Sequence, residues 1–388
     1  MTEINPLKDA FEAEYGLSDQ PMHCFFAPGR VNLIGEHIDY NGGFVFPAAL
    51  SLGVYGILRF RSDEVIQLKS MNTSLKVSVD LNNPILYSGD DGWANYPKGV
   101  IKALRDYGHS IRGCEILFSG NLPDGAGLSS SAAILVLTAF MLRYASGDHR
   151  IDCVNLAQFC QKVENEFIKV NCGIMDQFAV AMGRQDYAML LDCENLSYKY
   201  IPFVLGNYRL VIMNTNKRRE LAESKYNQRR GECEQAVELI RKHRSVPNLC
   251  QALVTDVEAY IEDLLLRRRA MHVISENNRV LEATELLAQG DLIGFGRLMT
   301  QSHLSLKNDY EVTGFELDSI VDHALKSPGC IGARMTGAGF GGCAIALVEL
   351  QKLEDFKLAV HEGYCKTTGL TPDFYVASIA DGVKRLEC

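Results

Sequence analysis

The chain has 388 residues, more than one hydrophobic core ordinarily serves, so two domains are the expectation. Its composition is ordinary for a globular protein, 47% hydrophobic and 22% charged, and a formal charge of −9 argues against nucleic acid or an anionic membrane as the main partner. The basic stretches at 217–230 and 267–269 lie among glutamates or apolar residues and read as solvated helix faces.

The twelve cysteines form no C-x-x-C pair and no zinc spacing, and they read as reduced, mostly buried thiols of a cytoplasmic protein. The opening segment MTEINPLKDAFEAEYG has neither the basic nor the apolar part of a leader. The longest apolar stretch, 132–142, is about half of the ~20 residues that a bilayer crossing needs. The expectation is a soluble protein.

In chain order, strand-like runs occupy 23–28, 44–50, 53–60, 64–70 and 75–81. A helix pattern over 93–108 and a strand over 114–120 follow, then a glycine loop and an apolar helix from about Ser129. An amphipathic helix near 153–170 leads to strands at 187–193 and 208–215. From about 219 the chain is rich in helix, and it closes as strand, glycine turn and strand (330–349), helix (353–368) and strand (373–379). A soft boundary falls near 205, with an α+β domain on each side.

Four segments carry chemistry. The first, GRVNLIGEHIDYNGG (29–43), sets Arg30 before an apolar run and Glu36, His37 and Asp39 after it. The second, NLPDGAGLSSSAAILVLTAF (121–140), has glycines that let the backbone turn and approach a ligand, then three serines opening an apolar helix. A buried helix N-terminus with free amides suits a phosphate; a serine-capped helix behind a plain glycine turn is the equal alternative. No Gly-Lys-Ser/Thr follows, so it is not a Walker loop. The string GAGFGG (337–342) fits G-x-G-x-x-G but leads into a strand-like run, which suits a hairpin leaving room for a ligand better than a dinucleotide site.

The third segment is the helix near 156–168. A step of about 100° per residue gathers Leu156, Phe159, Cys160, Val163, Phe167 and Ile168 on one arc, and Glu164 falls inside it. A carboxylate on a buried face needs a partner, either a cation such as Mg²⁺ or an arginine in a structural salt bridge. The fourth is NCGIMDQFAVAMG (171–183), where Asp176 stands in an uncharged string as a helix N-cap, a functional carboxylate, or both.

Together with SKYNQRR (224–230), GARMTGAGFGGC (332–343) and WANYPKGV (93–100), these segments resemble the galactokinases of the GHMP sugar-kinase superfamily, in the family's order and over nearly the whole chain. The resemblance implies an α+β, two-domain GHMP kinase fold. Residues 1–205 would form an N-terminal α/β domain of ribosomal-protein-like topology, and residues 206–388 a ferredoxin-like α+β domain, with the active site in the cleft between them. It also implies ATP-dependent phosphorylation of the anomeric hydroxyl of galactose, with ATP and Mg²⁺ as cofactors.

Carried over by position, Asp176 matches the catalytic aspartate and Arg30 the arginine paired with it. Glu36, His37, Ile38, Asp39, Gly173 and Tyr226 match the sugar site. Gly125, Ala126, Gly127, Leu128, Ser129, Ser130 and Ser131 match the phosphate loop, Ser131 and Glu164 the magnesium ligands, and Ser70 a nucleotide contact. Glu36 and Asp39 would divide the sugar hydroxyls between them, with His37 as an adaptable donor or acceptor. Asp176 would take the proton of the reacting hydroxyl or orient it. Ile38 stands where many galactokinases have threonine and the related N-acetylgalactosamine kinases resemble this chain; Ala133 and Leu135 replace a common serine and glutamate. Galactose is the expected substrate, N-acetylgalactosamine or another hexose the alternative, and a non-catalytic galactose sensor a further one. The expected partners are the sugar and ATP, with neither nucleic acid nor membrane, and the expected state a monomer or a weak dimer.

Overall fold

The structure is a computed structural model and describes residues 4–123, 126–217 and 222–388. Helix α1 (Ile4–Tyr15) precedes β1 (Met22–Asn32), β2 (Phe44–Val45), β3 (Pro47–Phe60), β4 (Val65–Ser70) and β5 (Lys76–Asp80). Then come α2 (Asn95–Asp106), β6 (Cys114–Gly120), α3 (Ser130–Ala145), α4 (Cys153–Val163) and α5 (Met175–Met182). Strands β7 (Tyr187–Asp192), β8 (Tyr198–Pro202) and β9 (Tyr208–Asn214) lead into α6 (Ala222–Arg241), α7 (Val254–Tyr260), α8 (Leu264–Ala288), α9 (Leu292–Ser305) and α10 (Phe315–Lys326). The last elements are β10 (Cys330–Met335), β11 (Cys343–Glu349), α11 (Leu353–Thr368), β12 (Asp373–Ala377) and β13 (Lys384–Leu386).

Three sheets organise these elements. The first runs β13-β1-β3-β6-β4-β5 and is antiparallel except where β4 lies parallel to β6. Its edge strand β5, Lys-Val-Ser-Val-Asp, alternates exposed and buried residues, as a strand with one covered face must. Helix α3 is apolar on nearly every side because it packs on β1 and β3 while α2, α4 and α5 enclose it. A second sheet runs β10-β11-β9-β12, antiparallel throughout, with α9 and α10 against β10. A third, small sheet joins β2, β7 and β8. Among the described residues, no helix is long and apolar enough to cross a membrane.

Three features depart from the sequence reading. A further strand, β13, follows the last one read from the sequence and pairs with β1, so the 206–388 segment supplies an edge to the first sheet. That pairing sets Cys24 opposite Leu386 and brings Cys388 to it, with Cα atoms 5.5 Å apart, and the two form a disulfide. The reading of all twelve cysteines as thiols is corrected for this pair, because a contact across 364 positions leaves no spacing to recognise. The other ten take part in no disulfide. Helix α1 was also not foreseen: it buries only Leu7 and Phe11, in a small cluster with Cys24, Ile57 and Leu117.

Candidate active site

The site begins at a defect in β1. Its ladder with β3 slips between Pro28 and Arg30, a bulge centred on Gly29. A Cβ there would lie 2.5 Å from Leu122 Cδ2 and 2.7 Å from the Leu128 carbonyl oxygen, so glycine is what lets the loop after β6 close against the strand. Just past the bulge, Arg30 Nε and Nη2 each donate to a different oxygen of Asp176 at 2.8 Å, and Nη1 donates to the Gly127 carbonyl at 2.8 Å. One guanidinium thus ties the expected catalytic carboxylate to the glycine–serine loop, in the bidentate geometry that only arginine provides. Arg30 is sealed at 5% exposure while Asp176 keeps 29%, so the pair presents its carboxylate face to the cavity.

Asp176 is the second residue of α5, whose N-cap position is Ile174, so the N-cap alternative does not hold. Ser129 Oγ donates to Asp176 Oδ2 at 2.5 Å. That serine adopts a left-handed φ of 62° and does not cap α3 with its side chain. The strained conformation costs roughly 1 kcal/mol or more and turns the hydroxyl toward Asp176. The first-turn amides of α3 therefore lack a serine cap and suit an anion. Within the loop, Gly125 lies outside the described residues. Ala126 and Leu128 are buried, Gly127 (φ 72°) supplies its carbonyl to Arg30, Ser130 is exposed, and Ser131 lines the cavity. Ser70 sits at the end of β4 with its hydroxyl accepting from the Asn72 N–H at 3.2 Å, beside the strand that enters this loop and outside the cavity lining.

Glu164 stands where α4 changes to a π-turn over Glu164–Ile168, a distortion common at functional positions. It is 5% exposed, as the arc of apolar residues implied. Among the described residues no arginine salt bridge forms to it, and its partners there are Gln177 Nε2 at 2.5 Å and the side chains of Ser131 and Cys172. Burial, and then the charge of Asp176, lifts its carboxyl to about 7. The two expected metal ligands are thus hydrogen-bonded to each other, and the carboxylate is paired with neutral groups.

On the other side of the cavity, the turn after β1 carries the expected sugar contacts. Glu36 is nearly saturated: Gly337 N–H donates to Oε1 at 2.7 Å, Asn32 Nδ2 to Oε2 at 3.0 Å, and Arg334 Nη1 stands 3.5 Å from Oε1. A carboxylate has about four acceptor sites, so Glu36 can offer a sugar one hydrogen bond rather than two. Asp39 lines the cavity beside it. Burial, and then neighbouring Asp176, lifts its carboxyl to about 7. Gly173 faces it directly, and a Cβ on Gly173 would fall 1.8 Å from Asp39 Oδ2.

His37 lines the cavity with both ring nitrogens engaged in hydrogen bonds. Nε2 lies 3.1 Å from the Ala338 carbonyl and Nδ1 2.9 Å from the Tyr40 hydroxyl. A carbonyl only accepts, so Nε2 carries the proton and Nδ1 accepts from Tyr40, leaving neither ring nitrogen for a ligand. Burial, followed by His272, pushes its pKa down to about 3, so the ring is neutral. His37 forms wall, its ring tilted at 41° to that of Tyr226 with centroids 5.4 Å apart. Ile38, by contrast, is fully buried in the core and does not line the cavity. Ala133 and Leu135 are likewise core residues.

The cavity has a volume of about 470 Å³ and gathers Arg30, Glu36, His37, Asp39, Ser131, Glu164, Gly173, Asp176 and Tyr226. Sequence reasoning missed Lys169, Cys172 and Asn227, which also line it, and named the segments but not the roles of Tyr96 and Ala338. Each of the five adjoins or falls within a quoted motif, and adjacency is the signal that could have found them. The GAGFGG turn joins β10 to β11 as a hairpin, and its Gly337 and Ala338 face the cavity.

Comparisons with known proteins bear on this geometry. Residues 9–60 match the galactokinase galactose-binding signature, residues 95–184 the GHMP kinases N-terminal domain, and residues 283–365 the GHMP kinases C-terminal domain. The chain is 53% identical over 382 residues to a galactokinase of Clostridium tetani, covering 98% of this chain and 97% of that one. It is 52% identical to one of Enterococcus faecalis, covering 94% and 95%. Among solved structures, Lactococcus lactis galactokinase complexed with galactose superposes with a TM-score of 0.95 at 42% identity, covering 99% of this chain and all of that one. A Methanococcus jannaschii mevalonate kinase superposes with a TM-score of 0.70 at 21% identity over 94% of this chain and 99% of its own, a likeness of fold.

Proposed function

The chain belongs to the galactokinase family of GHMP kinases, and on that premise we propose that its cavity transfers the terminal phosphoryl group of ATP to the anomeric hydroxyl of D-galactose. The observation that carries the site assignment is the Asp176–Arg30–Ser129 cluster, set in one cavity with Glu36, Asp39, Gly173 and Tyr226.

Phosphoryl transfer through a loose transition state asks for alignment and charge balance more than for covalent help. Arg30 and Ser129 occupy three acceptor positions of Asp176. The remaining one is aimed at the reacting hydroxyl, orienting it and taking its proton as the bond to phosphorus forms. Arg30 supplies a permanent countercharge to that centre and, through Gly127, fixes the loop that receives the phosphates. Asp39 accepts from sugar hydroxyls, Glu36 adds one bond, and Tyr226 with His37 closes the wall. The single Ser131 hydroxyl and the Glu164 carboxylate, held together and paired among the described residues with neutral groups, fit Mg²⁺. Such an ion draws its other ligands from phosphates and water. Bound there, Mg²⁺ would neutralise charge on the nucleotide.

Ile38 was the reason to weigh an amino sugar, and its burial away from the cavity supports galactose instead. The complete serine loop, with Arg30, Glu164 and Asp176 all present, supports an enzyme over a sensor. Ten of the twelve cysteines take part in no disulfide, which supports a reducing, cytoplasmic setting. The test is coupled ADP release on galactose, 2-deoxygalactose, N-acetylgalactosamine, glucose and arabinose. Galactose should give the highest kcat/KM; a better N-acetylgalactosamine rate would overturn the substrate, and binding without turnover would overturn the enzyme.

A further inference from the structure

Arg334, at the end of β10, is fully buried and absent from the cavity lining. Its Nη1 donates to the Asn32 carbonyl at 2.9 Å and stands 3.5 Å from Glu36 Oε1. Its Nη2 lies 3.9 Å from Glu276 Oε1 on α8. Glu276 is also fully buried and grips the same turn from the other side, accepting from the Gly35 N–H at 2.9 Å and from Ser302 and Arg279. Thr336, two residues after Arg334, exchanges hydrogen bonds with the backbone of Asn32, and Gly337 donates to Glu36. The turn that carries Glu36 is therefore held by β10, by the hairpin after it, and by α8, with one guanidinium between two buried carboxylates.

We propose that Arg334 is a positioning residue for sugar recognition, which fixes Glu36 and supplies its countercharge from outside the cavity. The inference rests on the assignment of the cavity as the galactose site. An ionised carboxylate at this depth is costly without a cation beside it. Arg334 and then Arg30 are the charges that oppose the upward pull of burial on Glu36. Arg30 is already committed to Asp176 and Gly127, which leaves Arg334 as the cation dedicated to the turn. The charged or titratable groups around Glu36 are Arg334 on β10, Arg30 on β1, Asp39 after the turn, and His272 and Glu276 on α8. Nε and Nη2 of Arg334 make no hydrogen bond among the described residues. Its role there is thus one of charge and of two aimed contacts from Nη1 rather than of a filled donor set.

The test compares wild type with Arg334→Lys and Arg334→Met. Circular dichroism checks folding, and KM is measured separately for galactose and for ATP across pH 6 to 9. Arg334→Lys should keep a positive charge but lose the paired reach of Nη1. It should raise the galactose KM about tenfold, leave the ATP KM within about twofold, and move the acidic limb of kcat/KM for galactose to higher pH. Arg334→Met, if folded, should exaggerate all three effects. A uniform loss in kcat with both KM values and the pH limb unchanged would overturn the proposal. So would failure of both variants to fold, which would make Arg334 structural only. Absence of galactose turnover in wild type would instead overturn the assignment of the cavity.

Discussion

Replacing Gly173 by alanine isolates the contribution of Asp39. Gly173 does not need glycine for its backbone, since its φ is not in the left-handed range. The added Cβ would sit 1.8 Å from Asp39 Oδ2 and 2.3 Å from Cγ, so the carboxylate has to retreat by more than about 1 Å. A hydrogen bond of about 2.8 Å stretched that far is no longer one. Each bond to a charged acceptor is worth roughly 1.5–3 kcal/mol, so losing one raises the galactose KM by about 10- to 100-fold. The ATP KM should stay within about twofold, because the displaced group belongs to the sugar side. Initial rates of ADP release against galactose concentration read the effect, with a thermal melt as the folding control. A folded variant whose galactose KM lies within about twofold of wild type would refute Asp39 as a sugar ligand.

Two further outcomes are expected. Asp39 and its proton make galactose affinity depend on pH: with its carboxyl lifted to about 7, the empty site at pH 6 is mostly protonated and a poor acceptor. Calorimetry without nucleotide should show affinity falling about tenfold from pH 8 to pH 6. Between 3.8 and about 7 the folded protein keeps a proton that the unfolded chain releases, so this group's contribution to stability falls as pH rises through that window. A flat affinity profile would contradict the assignment. For the disulfide, Cys388→Ser should lower stability by up to about 5 kcal/mol while leaving the galactose KM unchanged. Cys24 lies six positions before Arg30, about 20 Å along β1. A melting temperature that is the same with and without reductant in wild type would mean that the bond contributes nothing.

What could be seen in the sequence was local. The segment 29–43 announced itself because charges crowd one apolar run, and Glu164 because it interrupts a 3.6-residue apolar period; both occupy the cavity. The helix–strand alternation around the glycine–serine loop was equally legible, since α3 has no polar face to hide. What escaped depends on contacts between distant parts of the chain. One ring nitrogen of His37 is engaged by a carbonyl 301 positions away, and Glu36 gives part of its acceptor capacity to Gly337, also 301 away. Ile38 follows a left-handed His37 (φ 64°) that turns its side chain from cavity to core, which residue type does not reveal. Strand β13 is three residues long and finds its partner only at the far end of the chain.

The central claim is that Asp176 acts on a sugar hydroxyl held by other residues. Rapid-quench formation of galactose 1-phosphate by wild type and Asp176→Asn, with galactose binding measured by calorimetry on the same samples, tests it most directly. The account predicts that the variant binds galactose within several-fold of wild type and loses at least about a hundredfold in product formation. Product formation within a few-fold of wild type, with binding intact, would contradict it.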